Sequence, residues 1–134
     1  MANPISIFEV SGRAMAAQLT RLNTTASNMA NARSVARSEA EAFRALKPVF
    51  RTHVDSPDMS TVDVELIIQS DTQPKRRHDP TNPMADPEGY VWEAGVDEAT
   101  EMIEMIEAAR QYQNNVQVLQ TAKSLILETI RMGK

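Results

Sequence analysis

A heptad-spaced apolar stripe at each end of the chain constrains its fold more than any other feature. Near the start the stripe runs Ile5, Phe8, Gly12, Met15, Leu19, Leu22, Ala26 and Met29. Near the end it runs Met102, Met105, Ala109, Tyr112, Val116, Leu119, Lys123, Ile126 and Ile130. Both alternate steps of three and four, which keeps one narrow seam facing a partner helix over many turns. Two such seams at opposite termini predict that the ends pair with each other and with neighbouring copies. The expected fold is mainly α with a small β element. Its long N- and C-terminal helices pair as an antiparallel coiled coil around a short middle region that contains a β-hairpin.

The organisation along the chain follows from local chemistry. Asn3-Pro4 suits a helix start, since Asn caps and Pro is tolerated at the first helical position; Ser6-x-x-Glu9 offers an alternative capping box. The first helix is expected to span residues 1–32, the β-containing region 33–96 and the last helix 97–134. Gly12 reads either as a helix break or as a close inter-helix approach. Residues 33–42 are small and polar and fit helix or loop equally. Phe43 to Phe50, with Pro48, reads as an edge strand and His53 to Ser60 as a loop. Val62, Val64, Leu66 and Ile68 alternate with Asp63, Glu65, Ile67 and Gln69, the period of a strand. Asp71 to Pro87 holds four prolines and is expected to be extended or turn-rich. Asp86-Pro87-Glu88-Gly89 fits a type I turn, returning through a short strand Tyr90-Val91-Trp92. Asp97 is placed to cap the final helix, whose acidic groups precede its basic ones in the order the helix dipole favours.

That helix has more apolar surface than one seam needs. Ile103 and Ile106 widen the stripe early; Val118, Ala122 and Leu125 add a second one late. Burying a large apolar side chain is worth ~1.5–3 kcal/mol, so an unmet face of this size calls for further helices from other subunits.

Composition narrows the function classes. With one Trp, two Tyr and three Phe, a large round core is unavailable, and Ala, Met, Leu, Ile and Val must supply the packing. A net charge of −4 lacks the basic footprint of a nucleic-acid binder. The run Lys75-Arg76-Arg77-His78 reads as a solvated turn or, more sharply, as a docking patch for an acidic neighbour. Residues 1–38 carry four arginines against Glu9, whereas 96–134 carry more acidic than basic groups, a mildly favourable pairing. No cysteine is present, which excludes disulfides, thiolate catalysis and Cys-based metal sites. No cofactor is called for: His53 and His78 stand outside any metal-ligand spacing, the glycines form no phosphate loop, and no Ser sits in a nucleophile elbow. An enzyme is not expected. The N-terminus lacks the form of a cleaved secretory signal, and no run approaches the ~20 apolar residues of a membrane span, so neither signal cleavage nor membrane insertion is expected.

Three segments carry a resemblance. Ser11-Gly12-x-x-Met15-x-Ala17-Gln18-x-x-Arg21-Leu22-Asn23-x-x-Ala26-Ser27-Asn28-Met29-Ala30-Asn31 resembles the N-terminal segment of the flagellar rod and hook protein family. Asp79-Pro80-Thr81-Asn82-Pro83-Met84-Ala85-Asp86-Pro87-Glu88-Gly89-Tyr90-Val91 looks like the middle segment of its proximal-rod branch. Glu101-Met102-Ile103-x-Met105-Ile106-x-Ala108, Tyr112-Gln113-x-Asn115-Val116 and Thr121-Ala122-Lys123-Ser124-Leu125 are similar to the family's C-terminal segment. Departures fall at Arg33 to Arg37, His78, Ala94-Gly95 and Ala109 to Tyr112.

The resemblance implies a structural subunit of the proximal rod of the bacterial flagellar basal body, the driveshaft across the periplasm, exported by the flagellar type III apparatus. It implies as partners other copies, the rod proteins FlgB, FlgF and FlgG, and the rod–export-gate adaptor FliE. Seams and resemblance together nominate an assembly interface of Met15, Leu19, Leu22, Asn23, Ala26, Asn28, Asn31, Met102, Met105, Ile106, Tyr112, Val116, Leu119, Leu125 and Ile126. The family motif of the middle region comprises Asp79, Pro80, Pro83, Ala85, Asp86, Gly89 and Tyr90. A sister rod protein, or a cytoplasmic coiled-coil adaptor or export chaperone with independently stable helices, are the alternative readings.

Overall fold

The computed structural model describes residues 4–133. Two helices flank five strands: α1 (Pro4–Asn31), β1 (Val35–Ala36), β2 (Leu46–Ser56), β3 (Met59–Gln69), β4 (Lys75–His78), β5 (Tyr90–Glu93) and α2 (Glu98–Met132). The expected Asn3 cap lies outside the described residues. α1 stops where the Asn31 carbonyl accepts from both the backbone N–H and the hydroxyl of Ser34, at 3.0 and 2.7 Å. α2 starts at Asp97, whose carboxylate accepts from the backbone N–H groups of Ala99 and Thr100, as its sequence position predicted.

The helices run antiparallel. Contacts climb one helix as they descend the other: Arg33 meets Glu98, Asn28 meets Glu101, Arg21 meets Glu104 and Glu107, and Ile7 shares a groove with Asn114 to Leu125. At ~1.5 Å per residue α1 is about 42 Å long and α2 about 52 Å.

The expectation of a mainly helical chain with a small β element is corrected. The strands form two antiparallel sheets, one three-stranded in the order β1-β5-β4 and one two-stranded hairpin, β2-β3, with 11 residues in each arm. The supposed loop from His53 to Ser60 is the hairpin's far end, paired out to Ser56 and Met59. Lys75 to His78, in the region expected to be extended or turn-rich and itself read as a solvated turn, is the strand β4. Both segments are mostly polar and almost wholly exposed, so neither carries the apolar alternation that marks a half-buried strand. Residues 33–42 are neither helix nor plain loop, since Val35 and Ala36 pair with Glu93 and Trp92.

The hairpin lies along α1, and the two sheets are joined at Gly95. Its N–H donates to the Phe43 carbonyl at 2.7 Å and its own carbonyl accepts from Ala45 N–H at 3.2 Å. A Cβ there would collide with the Thr72 carbonyl oxygen, so close approach of backbones requires glycine.

The core is thin. Among the described residues seven of the eight buried apolar side chains are alanines, at 17, 36, 42, 45, 94, 108 and 122; Val91 is the eighth. The large apolar groups lie outside it.

Candidate assembly interface

The surface of α1 covered by α2 and the hairpin is built from small and polar residues. Ser11, Ala17, Thr24, Thr25 and Asn28 are buried, with Ala14, Gln18 and Arg21 half-buried between them. Ser11, Ala14, Gln18, Arg21, Thr25 and Asn28 sit one residue behind the apolar stripe, a rotation of about 100° around the helix, and Ala17 and Thr24 sit two residues behind it. The stripe itself is less buried than this face. Met15, Leu22 and Asn31 are half-buried, Leu19 is 44 % exposed, Asn23 and Ala26 are exposed, and of the nominated α1 residues Asn28 alone is buried. On α2, Met105, Tyr112, Val116, Leu119 and Ile126 are half-buried toward the pair, while Met102, Ile106 and Leu125 are between 53 and 59 % exposed. Gly12 stands in an unbroken helix with open space around it.

Large apolar groups continue along the uncovered face of α2, through Ile103, Val118, Leu127 and Ile130. Near the end of the pair, Ile7, Val118, Ala122 and Leu125 line an open, mainly apolar groove of about 510 Å³.

Polar contacts fasten the other end of the pair. Asn28 is 1 % exposed; its Nδ2 donates to the Leu46 carbonyl and its Oδ1 accepts from Leu46 N–H, both at 2.8 Å. The side chain thus imitates a neighbouring strand at the root of β2. The same Nδ2 donates to Glu101 Oε2 at 3.0 Å, and Glu101, 3 % exposed, has Lys47 Nζ 3.7 Å from its other oxygen. The sequence nominated Asn28 for the interface but not Glu101 or Lys47, although Glu101 opens the C-terminal family segment. Arg21 reaches Glu104 through Nε at 2.8 Å and Glu107 through Nη2 at 3.1 Å. Arg33 donates to Glu98 at 3.0 Å, which holds its guanidinium above its ordinary value.

A second polar cluster pins the hairpin. Thr61, 2 % exposed, donates to Asp55 Oδ2 at 2.8 Å and accepts from Arg13 Nη1, which also reaches Asp63 at 3.2 Å. His53 lies 3.5 Å from the same Asp63 carboxylate.

The middle motif folds on itself. Asp79 N–H donates to the Gly89 carbonyl at 2.9 Å, and Asp86 N–H to the Tyr90 carbonyl at 2.8 Å. The Asp86 Oδ1 accepts from the N–H groups of Glu88 and Tyr90. Gly89 N–H donates to the Asp86 carbonyl at 2.9 Å, closing the expected turn. Gly89 has φ +86°, and a Cβ would meet Pro80 at 3.0 Å and His78 at 3.3 Å, two independent reasons for glycine. Asp79 and Ala85 are half-buried, and Pro80 and Pro83 exposed. The basic strand is neutralised from within. Arg76 lies 3.8 Å over the Tyr90 ring and pairs with Glu88 at 2.6 Å, and Arg77 pairs with Glu93 at 2.9 Å. His78 packs edge-on against Tyr90. Two of its three cations are thus already paired within the fold.

Among the described residues no group of three His, Cys, Asp or Glu could hold a metal ion, and no helix is long and apolar enough to cross a membrane. A cleft of about 630 Å³ where α1 exits is lined by charges of both signs, several already paired: Arg33, Lys75, Arg77, Glu93, Asp97 and Glu98.

Comparison with known proteins agrees with this layout at both ends. Residues 8–33 match the model of the flagella basal body rod protein family, and residues 88–132 match the flagellar basal body rod FlgEFG protein C-terminal model. The chain is 41 % identical over 132 residues to the flagellar basal-body rod protein FlgC of Salmonella typhimurium, covering 97 % of this chain and 98 % of that one. It is 42 % identical over 132 residues to FlgC of Yersinia enterocolitica, with the same coverage. To FlgC of Aquifex aeolicus it is 34 % identical over 135 residues, the full length of both. Full-length identity at this level, with the two terminal family segments on α1 and α2, places the chain in the FlgC family of flagellar basal-body rod proteins.

Proposed function

We propose that this chain, a structural subunit of the flagellar basal-body rod that assembles with other rod proteins, joins the rod through the apolar faces its own fold leaves open. One observation carries the reading. Its buried apolar core is nearly all alanine, while among the described residues seventeen large apolar side chains are exposed, eight of them on α2. A chain selected to stand alone would bury those groups, each worth ~1.5–3 kcal/mol. Here they are left for neighbours.

In this reading α1 and α2 form the axial part of the rod, and the strand-containing region between them, with the hairpin laid on α1, lies further out. Full order along both helices comes with assembly, because an isolated chain cannot cover both stripes. Head-to-tail repetition of one contact gives a helical tube in place of a closed ring, and torque passes through packed helices without turnover. Family membership supports further copies, FlgB, FlgF, FlgG and FliE as neighbours, and type III export as the route across the inner membrane.

Charging the seam tests this directly. Leu22→Asp and Leu119→Asp are expected to abolish rod incorporation while export of the chain continues. Leu19→Asp and Ile106→Asp do the same at positions already exposed in the monomer, so misfolding is not the cause. A motile flagellum built from any of these four variants would remove the seam assignment.

A further inference from the structure

The polar contacts between the helices are gathered at one end. Among the described residues they run from Arg21 on α1 to Arg33 just past its end, and from Glu98 to Glu107 on α2. Beyond Ala108 the side-chain hydrogen bonds of α2 close on its own backbone, Asn115 onto Gln111 and Thr129 onto Leu125. That far end holds the apolar groove and the exposed Val118, Leu125, Leu127 and Ile130.

Asn28 is the centre of the fastened end. One amide joins three elements: both of its polar atoms bind the β2 backbone, and its Nδ2 also binds Glu101 on α2. A buried carboxylate met by one amide and one lysine is a poor source of stability, since desolvation offsets the attraction. It is a strong source of register. Sliding α2 by one residue or one turn past α1 would carry Glu101 away from Asn28 and strand a charge inside the protein. An apolar seam of alanines penalises the same slip far less.

From this asymmetry we propose that Asn28 and Glu101 form a register clasp, which holds the sheet-proximal third of the helix pair together in the unassembled subunit and leaves the distal part open for the rod. The proposal rests on the reading that the helices complete their order on assembly, and it adds where that order begins. An incoming subunit then has only the distal stretch to zip, in a register already set. Asn28 and Glu101 are positioning residues, acting through the helices they hold.

Hydrogen exchange on the monomeric full-length chain at low concentration tests it. Segments 21–33 and 98–108 are expected to exchange at least about tenfold more slowly than segments 4–15 and 112–131. Asn28→Asp, which removes the donor and sets two carboxylates together, is expected to erase the difference. Glu101→Gln, which still accepts from Asn28, is expected to keep it. Protection in β4–β5, which the clasp does not touch, serves as the folding control. Uniformly fast exchange along both wild-type helices overturns the clasp and leaves folding on assembly standing. Uniformly slow exchange overturns both. An Asn28→Asp chain that keeps the difference, or that loses β4–β5 protection as well, also overturns the clasp; in the latter case the pair is a determinant of the whole fold.

Discussion

Three glycines meet three different demands, and the contrast shows what a side chain costs at each place. Gly12 sits in an open stretch of α1 with nothing near its missing Cβ, so Gly12→Ala is expected to stabilise the helix by about 1 kcal/mol in denaturant unfolding. If the same variant impairs rod incorporation, the close approach at Gly12 belongs to a neighbour in the rod. Gly95 is the opposite case, with the Thr72 carbonyl in the place of a Cβ. Gly95→Ala is expected to part the two sheets, seen as lost protection at Phe43 to Leu46 and in β5. Gly89 combines a left-handed backbone with contacts to Pro80 and His78. The buried Thr61 adds a polar example. Thr61→Val keeps the shape but strips Asp55 and Arg13 of a shared partner, and is expected to cost about 1–2 kcal/mol in equilibrium unfolding.

At the scale of elements, the N-terminus of α2 carries a pH-dependent contribution. The Asp97 carboxyl is held below its ordinary value, first by its hydrogen bonds with Thr100 and then by the bond from Ala99 N–H and the charge of Lys75. A carboxylate with a depressed folded value stabilises the folded state fully above its unfolded value, near pH ~3.9, and loses that contribution as pH falls through the folded one. Asp97→Asn, which still caps but does not titrate, is therefore expected to flatten the acid limb of α2 helicity measured by circular dichroism. An unchanged acid limb would show that the cap does not govern it. This cap was legible because an Asp ahead of an acidic first turn is a local signal. The β3 alternation from Val62 to Ile68 and the Asp86–Gly89 turn were legible for the same reason. The far arm of the hairpin and β4 were not: Arg51 to Ser56 and Lys75 to His78 are strands held by their partners and by ion pairs, with wet faces that leave no period. An apolar stripe predicts the face that seeks apolar neighbours, whereas the residues of α1 buried deepest beneath α2 and the hairpin are Ser11, Ala17, Thr24, Thr25 and Asn28, which hydropathy does not flag. Glu101, charged and buried, runs against any pattern of apolar burial.

For the whole molecule, the distribution of apolar groups matters more than their number. A buried apolar core of seven alanines and Val91 gives little stabilisation per residue, so the monomer draws its order from backbone pairing in two sheets and from the polar ties at Asn28, Arg21 and Arg13. The large side chains then act between chains. This division predicts that stability and assembly respond separately to substitution. Ile103→Gln and Ile106→Gln, at 62 and 59 % exposure, are expected to leave monomer unfolding within about 0.5 kcal/mol of wild type. The same changes are expected to weaken association, because each removes apolar area that a neighbour would cover. Unfolding midpoints measured across protein concentrations report both quantities at once. A wild-type midpoint that rises with concentration, and a variant midpoint that stays at the dilute value, follow if these side chains serve partners, since binding to the folded state alone raises apparent stability by mass action. Equal midpoints at all concentrations for both chains would mean that copies of this subunit do not meet through α2, and would leave its contacts in the rod to other proteins.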